Sequence, residues 1–214
     1  MTTKLKLYNQ TLRILGERKL ARVDENRSLR HVMDDEWDDD FVDGVLDSGY
    51  WNFAMRTAQI SYNPSIEPDF GYQHAFDKPS DWIRTWQVSG DEYFHLPLNQ
   101  YADEQDYWFS DLDVIYVRYV SNDDQYGANI AEWPHAFAEF AAHEMAWKIV
   151  RLATASETKK QELKQERKEA RAHALSVDAA NQPVSRPPPG RWVQSRRQGI
   201  RTRWDGGNRH RLIG

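Results

Sequence analysis

Apolar residues recur at helical spacing near both ends of the chain. Leu5, Tyr8, Leu12 and Leu15 lie three or four residues apart, and Gly16 follows them as a stop signal. The same criteria predict four helices, at about residues 3–15, 28–47, 131–155 and 157–180. The second has an apolar stripe at spacing four and an opposite face dense with acids. The last is mostly charged, with a thin apolar seam, which is typical of a helix packed on one side.

The middle of the chain is patterned differently. Seventeen of the 70 residues from Tyr50 to Tyr119 are aromatic, and four prolines punctuate the stretch. Short runs with β propensity predict strands at residues 57–62, 82–88, 107–109 and 114–120. Both faces of the last run are apolar, which predicts a central strand. The pattern as a whole predicts an α+β fold, a four-helix bundle with a small β-subdomain inserted at about residues 50–120.

Charge divides the chain near residue 182. Residues 183–214 contain eight arginines, no lysine and one acid, whereas residues 1–182 contain 20 basic and 32 acidic residues. An arm of about +7 therefore follows a body of about −12. The arm has no apolar periodicity, so it cannot bury enough surface to offset the entropy cost of ordering. We expect a domain at 1–182, and at 183–214 an extended C-terminal arm that needs a partner.

Composition narrows the function classes. The chain has no cysteine, which excludes disulfides and thiolate metal sites. It has no apolar run of the roughly 20 residues that a membrane span needs, and its N-terminus lacks the apolar core of a signal peptide. The expectation is a protein made in a cytoplasm that makes no contact with membrane.

Several features imitate active sites without completing one. His143-Glu144 begins like a zinc-protease signature, but Trp147 stands where the second histidine belongs. The acids of residues 34–47 could supply paired carboxylates for glycoside hydrolysis, although such a run on a helix face is usually solvated. No glycine-rich phosphate loop and no nucleophile elbow occurs. We therefore expect a protein that is not an enzyme and that uses no cofactor and no metal.

The order and spacing of several motifs resemble one family, the podovirus head-to-tail adaptors, also called the tail tubular protein A family. The resemblance covers roughly residues 5–146, and its most specific block runs from Phe70 to Arg84. The matching motifs are Leu7-Tyr8-Asn9-Gln10, Ile14-Leu15-Gly16, Arg30, Asp34-Asp35-Glu36-Trp37, Gly49-Tyr50-Trp51-Asn52-Phe53-Ala54, Phe70-Gly71-Tyr72, Ala75-Phe76, Lys78-Pro79-Ser80-Asp81-Trp82-Ile83-Arg84 and Asp113-Val114-Ile115-Tyr116-Val117-Arg118-Tyr119.

This resemblance implies a structural protein of the virion, assembled in the host cytoplasm. Family members form a ring, usually of twelve copies, between the portal protein and the tail nozzle or tube, and genomic DNA passes through its channel. One relative is credited with cell-wall hydrolysis, so the alternative from another class is a virion-associated peptidoglycan-degrading enzyme. A zymogram of the purified protein separates the two classes.

Two hypotheses concern named residues. Asp38, Asp39 and Asp40 could face the ring lumen, where negative charge would repel DNA phosphates; an outer solvent face is the alternative. The arm could dock on the portal, bind nucleic acid or stay mobile, and the resemblance favours docking on the portal, because arginine and tryptophan are common anchors of protein interfaces. The residues expected to make that contact are Arg186, Arg191, Trp192, Arg196, Arg197, Arg201, Arg203 and Trp204.

Overall fold

The computed structural model describes residues 1–154 and 156–181, which belong to the unit Met1–Asn181. Its helices are α1 (Lys4–Leu15), α2 (Ser28–Glu36), α3 (Val42–Asp47), α4 (His135–Thr154) and α5 (Glu157–Ala180). Its strands are β1 (Met55–Ser61), β2 (His74–Asp77), β3 (Trp82–Ser89), β4 (Ala102–Asp103), β5 (Tyr107–Ser110) and β6 (Val114–Ser121). The fold is mixed α+β.

Helix α4 is the centre of the helical part. Most of its apolar residues are buried, with Leu152 near its C-terminal end as an exposed exception, and α1, α2 and α5 all pack against it. Helix α1 begins where the side chain of Thr3 accepts a hydrogen bond from the backbone N–H of Lys6. It ends at Gly16, whose φ of 80° is the left-handed conformation that a glycine adopts without strain. These helix positions agree with the predicted ranges to within a few residues.

The predicted helix at 28–47 is wrong as a continuous element. A wide turn, Trp37–Phe41, separates α2 from α3, and Asp39 and Asp40 leave helical geometry within it. Asp40 has a φ of 58°, a conformation that aspartate tolerates better than most residues. The turn keeps the rings of Trp37 and Phe41 in contact on the core side, with their centres 5.6 Å apart and their planes tilted by 34°. Three consecutive carboxylates, which repel one another and favour turns over helix, bulge towards solvent instead.

The β-region contains two three-stranded antiparallel sheets, ordered β1-β6-β3 and β2-β5-β4. The central position predicted for the strand at 114–120 is confirmed, since β6 pairs with β1 and β3. Strands β2 and β4 were not predicted, because four- and two-residue strands carry too little alternation to recognise. At one end of the first sheet Met55, Ile83 and Val120 belong to the helical core. Its other end lies on a second core that includes Val88 and Ile115.

Helix α5 is attached to the body by few apolar residues. Among its residues Leu163, Ala174 and Asp178 are buried. Ion pairs supplement them, including Arg167 with Glu144 of α4 at 2.9 Å. The thin apolar seam predicted for this helix is therefore present. Throughout the residues described above, no helix combines the length and the apolar character needed to cross a membrane.

Candidate functional site

The three acids proposed to face a lumen lie together on the exposed side of the wide turn. Asp38, Asp39 and Asp40 are all solvent-exposed, while Phe41 beneath them is fully buried. Their arrangement supplies a compact patch of negative charge.

A neighbouring carboxylate, Asp34, is used to hold the fold together. It accepts hydrogen bonds from the hydroxyl of Tyr8 at 2.7 Å and from Arg30 at 2.5 Å, and it pairs with Lys4 at 3.1 Å. Partial burial works to raise the pKa of Asp34, but the bonds from Tyr8, Lys4 and Arg30 outweigh it, so the pKa lies below its ordinary value. Burial and the bond to Asp34 raise the pKa of Tyr8. This acid is committed to joining α1 and α2.

A second carboxylate hub joins the strands of the first sheet. Asp81 accepts a hydrogen bond from Arg56 at 2.8 Å, a bifurcated one from the hydroxyl of Tyr119, which lies 3.2 Å from each carboxylate oxygen, and one from Ser121. Burial works to raise its pKa, but the bonds from Ser121 and Arg56 prevail and lower it. Burial raises the pKa of Tyr119 as well, so its hydroxyl stays a donor. Asp81 is a structural anion, not a proton donor.

Lys78 joins the two sheets. Its side chain is 6% exposed, and its ammonium group pairs with Asp103 of the second sheet at 2.6 Å. The same group lies 3.7 Å from the ring centre of Trp82 in the first sheet and 5.4 Å from that of Trp108 in the second. Trp82 and Trp108 both donate their indole N–H to the hydroxyl of Thr85, at 3.1 and 3.0 Å. The ammonium group of Lys78 and the two indole N–H groups therefore each have a partner, as polar groups at the boundary of a core need.

Asp178 is the buried acid of α5. Both of its carboxylate oxygens accept the backbone N–H of Asn52 at 3.1 Å, and burial raises the pKa of its carboxyl group. It lines a cavity of about 10 Å³ with Trp51 and Phe137, which is room for about one water molecule. A raised pKa suits an acid catalyst, but this cavity is too small to admit a sugar or a peptide. Asp178 thus fastens α5 to the chain around Asn52.

His143 lies on α4, at its boundary with α5. Its Nδ1 is 3.8 Å from a carboxylate oxygen of Glu166, and burial lowers its pKa. Glu144, the next residue, is paired with Arg167 instead. In the described part of the chain no group of three or more histidine, aspartate or glutamate side chains is arranged to hold a metal ion.

The many aromatic residues of the β-region divide between core and surface. Trp51, Trp108, Phe76 and Tyr119 are fully buried. Phe70 is 90% exposed and Tyr93 70% exposed. These two rings are therefore candidates for contacts with other molecules, and Tyr93 shares its loop with the exposed Leu96.

Charge is distributed unevenly within residues 1–182. The total charge of this part of the chain, which is all that the sequence analysis used, does not show this division. Residues 1–31 contain eight basic and three acidic residues, whereas residues 32–132 contain four basic and 22 acidic residues. The charge runs were visible in the sequence, but the fold decides which of them are exposed. Arg13, Arg18, Lys19 and Arg22 are exposed together around the end of α1.

Comparison with known proteins assigns no family to this chain: the sequence matches no protein-family model, and the search of curated proteins also gives no match.

The arm residues named above lie outside the described residues. The sites that the structure brings together are thus the exposed acidic turn, the buried polar hubs and the separated surface charges.

Proposed function

We propose that this chain is a structural virion protein, a head-to-tail adaptor that forms a ring, of about twelve copies by the resemblance, between the portal protein and the tail nozzle or tube. In this proposal the helices form a bundle that carries the β-subdomain as the body of each subunit. Genomic DNA passes through the channel, and the arm at 183–214 holds the subunit on the portal.

The proposal is supported by the structural role of the most specific block of the resemblance, residues 70–84. Lys78 joins the two sheets, Asp81 joins β1 and β6, and Trp82 begins β3. Arg84 donates a hydrogen bond to the carbonyl of Asp47 at 2.9 Å, and its guanidinium group lies 4.6 Å from the ring centre of Tyr50. The block thus links the helical part to both sheets. The residues that carry the resemblance to a family of structural proteins therefore connect parts of the fold.

The exposed acids fit passage of DNA. A basic lining would bind phosphates through the release of counterions, whereas exposed carboxylates repel them. The patch at Asp38, Asp39 and Asp40 has the sign and the exposure that a non-adhesive channel wall needs.

The experiment is attachment of the purified protein to heads that carry a portal but no tail. A chain truncated after Gln182 should keep the circular dichroism spectrum and unfolding temperature of its body and lose attachment. A full-length control in which the eight arm arginines become lysine keeps the charge but removes bidentate hydrogen bonding. Loss of attachment in both variants supports docking on a protein. If the truncated chain attaches normally, the arm is not the portal anchor.

A further inference from the structure

Two preorganised surface loops of opposite charge lie on different parts of the body. We define the basic corner as Arg13, Arg18, Lys19, Arg22 and Val23, around the end of α1. We define the acidic tip as Glu92, Tyr93, Leu96, Asp111 and Asp113, at the end of the first sheet that lies away from the helical core. Every one of these ten residues is exposed.

The basic corner is held rigidly by the chain beneath it. The side-chain amide of Asn9 exchanges two hydrogen bonds with Leu20, accepting from its N–H at 2.7 Å and donating to its carbonyl at 3.1 Å. The side chain of Leu20 is buried, and Arg27 pairs with Glu17 at 2.8 Å across the base of the loop. Arg22 pairs with Asp24 of the same loop at 2.9 Å, so the positive charge that this fixed backbone presents comes from Arg13, Arg18 and Lys19.

The acidic tip is equally fixed. The carboxylate of Asp91 accepts the backbone N–H groups of Tyr93 and His95, and the hydroxyl of Ser89 donates to the carbonyl of Leu96 at 3.0 Å. Phe94 is held at a φ of 56°, which is unusual for a bulky residue and persists only where surrounding contacts enforce it.

The contact that anchors this strained residue is on β6. The guanidinium group of Arg118 lies 4.2 Å from the ring centre of Phe94. With Phe94 turned inwards, Tyr93 and Leu96 are left 70% and 76% exposed. The turn that carries Asp111 and Asp113 lies beside this loop, because a Cβ on Gly90 would stand 3.0 Å from Leu112.

We propose that copies of this chain associate head to tail, with the acidic tip of one copy seated on the basic corner of the next. The two surfaces are complementary in charge, and each includes exposed apolar side chains, Val23 on one and Leu96 with Tyr93 on the other. Both are ordered before contact, which lowers the entropy cost of association. Because they are different surfaces of one chain, the contact is heterologous and repeats into a ring or an open filament.

The absence of cysteine from the sequence makes the contact directly testable by crosslinking. Full-length V23C and full-length L96C are mixed at low salt and treated with a short bis-maleimide. The control mixture is V23C with L152C, since Leu152 of α4 is 72% exposed and Leu96 is 76% exposed. We expect crosslinked dimers in the first mixture and about tenfold fewer in the second. Reversal of charge in the V23C partner by R18E and K19E should lower the yield about tenfold, and salt at about 0.5 M should lower it too.

Equal yields in the two mixtures, or a yield that R18E and K19E leave unchanged, would overturn the proposal. Binding of a DNA duplex that these two substitutions abolish, without crosslinking to L96C, would assign the basic corner to nucleic acid instead. The proposed contact itself does not depend on the adaptor function. Only its closure into a ring rests on that proposed function. Attachment to heads without the crosslink would retain the adaptor and reject this interface, whereas the crosslink without attachment would retain the interface and reject the adaptor.

Discussion

The ammonium group of Lys78 lies 3.7 Å from the ring centre of Trp82, so a nearly buried cation is held against an aromatic face between two sheets. Such a contact strengthens when water is excluded. The carboxylate of Asp103 completes the site at 2.6 Å. Lysine is rarely buried without a partner of this kind.

Replacement of Lys78 by methionine should destabilise the body by about 1–2 kcal/mol, because it removes the cation from the ring of Trp82 and from the exposed Asp103. Methionine keeps most of the apolar part of the lysine side chain, so the loss of stability measures the contribution of the ammonium group. Chemical denaturation of K78M against wild type measures it. K164M, at an exposed position of α5, is the matched control and should change stability by less than about 0.5 kcal/mol. Equal effects of the two substitutions would contradict a special role for Lys78.

Asp81 predicts a specific dependence of stability on pH. Its pKa is lowered in the folded protein, so its contribution is present above the ordinary value of 3.8 and is lost as pH falls through the lower folded value. D81N should be less stable at neutral pH by about 1–3 kcal/mol, and its deficit should shrink in acid. Urea denaturation at several pH values tests this expectation. D35N, which removes the same charge from an exposed position of α2, serves as the control. A deficit that stays constant with pH would count against it.

Replacement of two glycines by alanine should change the stability of the body in opposite directions. A Cβ on Gly127 would stand 2.3 Å from the carbonyl oxygen of Ser121 and 2.7 Å from a methyl of Leu46. G127A should therefore cost about 2–4 kcal/mol, a size typical of forced backbone displacement in a packed region. Gly44 lies inside α3 with nothing within 4 Å of such a Cβ. G44A should stabilise by about 0.5–1 kcal/mol, since alanine is the better helix former. Thermal unfolding of both variants checks the two signs.

The acidic turn predicts an effect on DNA passage. Reversal of Asp38, Asp39 and Asp40 to lysine should slow ejection of DNA from assembled virions, because the new cations bind phosphates. The neutral triple asparagine variant should have a smaller effect, which separates adhesion from loss of repulsion. Ejection triggered in vitro and followed by a DNA-binding dye measures the rate. If the lysine variant assembles and ejects normally, these acids lie on the outer face.

The periodicity of the chain predicts the helices well, because α1, α4 and α5 each pack one apolar face. It fails at Trp37–Phe41, where the stripe at spacing four is real but a wide turn, not a regular helix, brings Trp37 and Phe41 to the core. The paired hubs at Lys78 and Asp81 could not be predicted. Their partners, such as Asp103 and Tyr119, are more than 20 residues away, and no local signal gives the sheet register that joins them.

Helix α5 has a further consequence, for the order in which the body opens. Its attachment depends on Leu163, Ala174, the hydrogen bonds between Asp178 and Asn52, and ion pairs, while α4 is buried along most of its length. Cooperative units with few apolar contacts open first, below the free energy of global unfolding. Amide hydrogens of α5 should therefore exchange before those of α4, and sooner at high salt. A helix that detaches while the rest stays folded would uncover the face of α4 that carries His143 and Glu144 without unfolding the body.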